Sequence, residues 1–119
     1  MAKTREIPRE RWVDYLEALS ESARDRPVRI EVSGRALGSQ PIERHAPLLD
    51  LELNEKGSSR GAIELAVGWD GTLHGHRVAC PEHLYSQEND AGEVEALDIE
   101  DDEHVKTLVV FERPMLLPA

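Results

Sequence analysis

Three histidines and the only cysteine fall within ten residues, as His74, His76, Cys80 and His83. Imidazole nitrogen and thiolate sulfur are zinc-type ligands. Alternation along a strand sets His74 and His76 on one face, and a turn beyond them brings Cys80 and His83 round. The same stretch holds the parts of a covalent catalyst, Cys80 as nucleophile with His76 or His83 as base. Two features weigh against both readings. Zinc sites usually join two separated ligand pairs, whereas all four residues sit in one run and His45 lies far along the chain. An acidic chain is a poor setting for a thiolate, and no Gly-rich turn follows Cys80 to hold an oxyanion. The stretch reads as the polar face of a strand, with metal binding as the alternative.

Other chemistry is thinner. Residues 88–103 carry nine acids and no Lys or Arg. The calcium-loop spacing with its central Gly is missing, and these carboxylates look solvated rather than poised for acid–base work. They read as a charged sheet edge that discourages aggregation, or as a docking surface for a basic partner. Gly34-x-x-x-Gly38 lacks the Lys and Ser/Thr that would complete a phosphate cradle. Trp69, beside Asp70-Gly71, reads as a lid on the end of the sheet or an exposed aromatic anchor. No catalytic residue and no cofactor are expected.

The elements that must position these residues follow from periodicity. One strong helix is expected over about 8–23. Pro8 suits a first helical position, and Trp12, Tyr15, Leu16 and Leu19 form an apolar stripe with Val13 and Ala23 at its margins. Strands are expected over about 28–32, 48–53, 62–67, 73–79, 83–87, 94–100 and 105–112. Ser33 to Arg44, with Leu37 and Ile42 among polar residues, reads as surface wrapping or a short irregular strand. In the last strand Val105, Thr107, Val109 and Phe111 are assigned to the helix side. Leu108 and Val110 are apolar as well, so this strand is expected to be central and covered on both faces. Pro114 should end it, and Met115, Leu116 and Leu117 should pack back onto the chain rather than remain in water. Without long helical crossovers, the pattern predicts an α+β fold. Its one N-terminal amphipathic helix packs on a strongly curved antiparallel meander sheet, or partly open barrel, of six to seven strands.

The 119 residues suit one domain, 1–119, with a single core. A formal net charge of −10 disfavours nucleic acid as a partner. No apolar run reaches membrane-spanning length, the N-terminus lacks the apolar segment of a signal peptide, and one cysteine suits a reducing cytoplasm.

Several stretches, in order, resemble a known family. They are Thr4-Arg5-Glu6-Ile7-Pro8-Arg9-Glu10-Arg11-Trp12, Gly34-x-x-Leu37-Gly38-x-Gln40, and His76-x-Val78-x-x-Pro81-x-His83-Leu84. Glu95-Ala96-Leu97-Asp98-Ile99-Glu100 and Lys106-Thr107-Leu108-Val109-x-Phe111 complete the set. Together they resemble the small bacterial proteins of the DUF5335 family, whose function is unknown. The resemblance implies a bacterial single-domain protein and brings no activity or site residue with it. The functional expectation is a non-enzymatic binding or scaffolding module for a protein or small molecule, compatible with a homo-oligomer. The alternative is a zinc-type protein or enzyme built on His74, His76, Cys80 and His83.

Overall fold

The computed structural model describes residues 3–34, 38–69 and 71–117. Leu37, Asp70 and the side chain of Trp69, all singled out above, lie outside the described residues. The chain opens with β1 (Lys3–Glu6) and a 3-10 turn (Arg9–Arg11), then enters helix α1 (Trp12–Ala23). Strands β2 (Pro27–Gly34), β3 (Gly38–Leu53), β4 (Ile63–Trp69) and β5 (Thr72–Val78) follow. Then come β6 (Pro81–Glu88), β7 (Val94–Asp101) and β8 (Lys106–Met115). All pair antiparallel in one sheet, ordered β1-β6-β7-β8-β2-β3-β4-β5.

The strand count is eight, not six to seven. The strand missed is β1, whose Lys-Thr-Arg-Glu sequence has no apolar alternation and stays exposed. It is recruited by backbone pairing with β6, from Lys3 opposite Glu88 to Glu6 opposite Tyr85. The sheet is also not a plain meander. Two meanders, β2 to β5 and β6 to β8, are joined where β8 pairs with β2. The sheet does not close on itself: β1 and β5 are its two ends.

Helix α1 buries Trp12, Leu16, Leu19 and Ala23, the stripe that its 3.6-residue period requires. They join a core with Val28, Ile30, Leu51, Leu84, Leu97 and Val109. Trp12 fixes how the helix starts. Its ring N–H donates to the Ile7 carbonyl at 2.8 Å, while the Ile7 N–H donates to the Leu84 carbonyl at 2.8 Å. The Arg9 guanidinium covers the outer ring face at 4.5 Å and donates to the Pro81 carbonyl at 3.1 Å.

Strand β3, at 16 residues the longest, bends along its length. Its first half pairs with β2 and its second half with β4, with register shifts on both sides. His45, in the left-handed region at φ 53°, lies within the bend. The shift after Leu48 turns Leu49 outward, over Gly68. A Cβ at Gly68 would fall 2.9 Å from Leu49 Cδ1, so a larger residue there would require the exposed Leu49 side chain to move aside.

The end of β8 departs from expectation. Pro114 stays within the strand because the register jumps from Ala96–Val110 to Val94–Met115. That irregularity leaves a stretch where no ladder N–H is demanded. Beyond it Met115 is buried and Leu117 packs on the core, whereas Leu116 is 64 % exposed.

Candidate functional site

His74 and His76 lie opposite Val67 and Leu65 on β4, both buried, and so share the core-side face of β5. Their partner is Glu43, brought across by the bend in β3. One oxygen, Glu43 Oε1, accepts from His74 Nδ1 at 3.0 Å and from His76 Nε2 at 3.2 Å. The Glu43 side chain keeps only 11 % of its exposure. Burial pushes its pKa up, but the hydrogen bonds and charge of His74 and His76 outweigh that and hold it below the ordinary value.

The other two residues of the stretch go elsewhere. His83 on β6 donates from Nδ1 to Glu6 Oε2 at 3.0 Å and stacks on Tyr85, with ring centroids 5.9 Å apart. The hydrogen bond to Glu6 raises the His83 pKa, with partial desolvation opposing it. Cys80 is an exposed free thiol between β5 and β6. The structure thus joins His74 to His76, adds Glu43, and gives His83 a separate acid. Among the described residues, no three His, Cys, Asp or Glu side chains are arranged to hold a metal ion.

The acidic stretch is not a sheet edge. Strand β7 is paired on both sides and buries Val94, Ala96, Leu97 and Ile99. Some of its polar groups build turns. Asn89 Oδ1 accepts from the Ala91 and Glu93 N–H groups, and Asp101 Oδ1 from those of Glu103 and Val105.

Sequence reasoning missed a cleft of about 670 Å³ where β1, the start of α1 and the C-terminal tail meet. Ile7, Val94, Leu116 and Leu117 give it apolar walls, and Arg5, Arg11 and Tyr15 give it polar ones. Arg5 pairs with Glu88 at 3.0 Å, and Ser86 Oγ donates to the same Glu88 oxygen at 2.8 Å. Beside this pair the Tyr15 hydroxyl is buried with no hydrogen-bond partner. Ser86 is near enough to affect Tyr15 ionisation but not placed to hydrogen-bond it, and burial dominates, raising the phenol pKa. The one signal in the sequence was the apolar tail; nothing in it showed that the tail would meet β1.

No helix among the described residues is long and apolar enough to cross a membrane. A family model described as a family of unknown function, DUF5335, matches residues 3–119. An uncharacterized protein of Aquifex aeolicus (strain VF5) is 26 % identical over 115 residues, spanning 97 % of this chain and 97 % of that protein. No solved structure matches the chain.

Proposed function

We propose that this chain, which belongs to the DUF5335 family of unknown function, is a non-enzymatic binding module whose seat is the cleft between β1, α1 and the tail. The observation that carries this is the Tyr15 hydroxyl, buried without a partner on a wall of that cleft. A buried polar group without a partner costs stability, and native proteins retain few of them. A ligand that displaces the lining enough to reach this hydroxyl, which has no exposed surface in the free chain, would satisfy the group. The rest of the lining suits a small molecule with an apolar body and a polar head. Against the zinc-type alternative stands the division of His74, His76 and His83 between two glutamates. We read the protein as a bacterial, cytoplasmic, single-domain binder, with its acidity arguing against nucleic acid.

Blocking the cleft tests this reading. Ala18 lines it and is half-buried. Ala18→Trp should fill the space while leaving the fold intact, as judged by its amide spectrum. In a thermal-shift screen of small amphipathic molecules, compounds that raise the wild-type melting temperature should leave the variant unmoved. Compounds that stabilise both proteins equally would place binding elsewhere and overturn the reading.

A further inference from the structure

The sheet has two open ends, and they are built differently. At one end β1 is four residues long, and three of them, Lys3, Arg5 and Glu6, are charged. Short length and charge keep an edge from pairing with another chain. At the other end β5 runs for seven residues, Thr72–Val78, in unbroken register with β4. It has no Pro, no Lys and no bulge. Among the described residues its backbone has no partner besides β4. Leu73, Gly75 and Arg77 face outward and are exposed. Leu73, at 66 %, is the most exposed large hydrophobic side chain among the described residues.

Charge sharpens the contrast. The chain has 24 acidic residues, and each of the other seven described strands carries at least one. Strand β5 carries none. Its Arg77 is turned back onto Glu64 of β4, with Nε 3.4 Å from the carboxylate. The one formal charge of this edge is therefore balanced within the β4–β5 pair.

We infer that β5 pairs antiparallel with β5 of a second copy, across a two-fold axis through Gly75, so that two sheets join into one. The order of residues selects this occupant. About Gly75 the strand is nearly palindromic: a histidine stands on each side, and β-branched Thr72 and Val78 stand at the ends. The axis sets Gly75 against Gly75, His74 against His76, and Thr72 against Val78. It sets Leu73 against Arg77, whose methylenes cover the exposed leucine. No two acids and no two arginines meet. Both imidazoles keep their hydrogen bonds to Glu43 on the core side. Through any other strand the two copies, each of charge −10, would face each other across acids. The cleft shares no residue with β5, so this inference does not depend on the ligand proposed above.

Sedimentation and hydrogen exchange of the full chain test this. The wild-type mass should rise from 13.4 kDa toward twice that value as concentration increases. Over the same range the free-edge amides of residues 72–78 should exchange more slowly. Gly75 is the place to break the pairing, because a Cβ there meets nothing within 4 Å and a larger residue fits the single copy. Gly75→Glu and Gly75→Lys each set like charges about 5 Å apart across the axis. Each variant alone should stay folded and monomeric. Mixed, the two should form a one-to-one heterodimer, since the axis then brings opposite charges together. If either variant fails to fold, the wild-type exchange decides alone. A wild type that stays at 13.4 kDa up to millimolar concentration overturns the inference. So do dimers whose residues 72–78 exchange as fast as in the monomer, or dimers that persist undiminished in both single variants.

Discussion

Each of the five histidines lies against a glutamate carboxylate: His45 on Glu112, His74 and His76 on Glu43, His83 on Glu6, and His104 on Glu100. Most of these pairs are exposed and worth little to the fold. Glu43 is the exception, because one nearly buried oxygen serves two imidazoles. A carboxylate held below its unfolded value stabilises the fold fully above that value, here 4.5. The contribution is lost as pH falls through the lower folded-state value. Glu43→Gln should therefore unfold more easily than wild type at neutral pH, with the difference closing in acid. Urea midpoints taken from neutral pH down to about 3 check this; a difference that stays constant would contradict it. That His74 and His76 share a face was legible from their spacing alone. Glu43 was not, since it is 31 and 33 residues away and arrives only through the bend in β3.

Among the elements, the helix was the most legible and is the most consequential. Trp12, Leu16, Leu19 and Ala23 repeat at a spacing that only a helix can bury on one side. Trp12 is 2 % exposed and ties the helix start to β6 through Ile7. Truncating such a residue leaves a large cavity, so Trp12→Ala should cost about 3–5 kcal/mol. Chemical denaturation measures it, and a loss under about 1 kcal/mol, the scale of a surface substitution, would show that Trp12 is not the anchor described. Strand β1 was illegible because Lys-Thr-Arg-Glu buries nothing, and its pairing is a matter of backbone alone. The length of β3 was hidden by Gly38 and Pro41 among polar residues, though both pair with β2. Pro114 misled too: its strand is irregular where it sits.

At the scale of the whole molecule, the antiparallel sheet with one helix was legible, and the strand order was not. Alternation tells each strand which face is inward, but it cannot say that β8 pairs with β2 or β1 with β6. The β1–β6 pairing, with the Val94–Met115 pairing of β7 and β8, brings the N-terminal strand and the C-terminal tail to one cleft. A site assembled from the chain's two ends leaves no local motif to find. Its apolar walls and buried phenol make it the centre of this account. The most direct test is a methyl-resolved NMR titration of the wild type and Tyr15→Phe with a fragment that stabilises the wild type. The methyls of Ile7, Val94 and Leu117 should shift together and saturate. Tyr15→Phe should keep the fold at least as stable, having lost a buried group without a partner, yet bind the fragment more weakly. Saturable shifts confined to other parts of the sheet, with equal affinity in both proteins, would contradict the assignment.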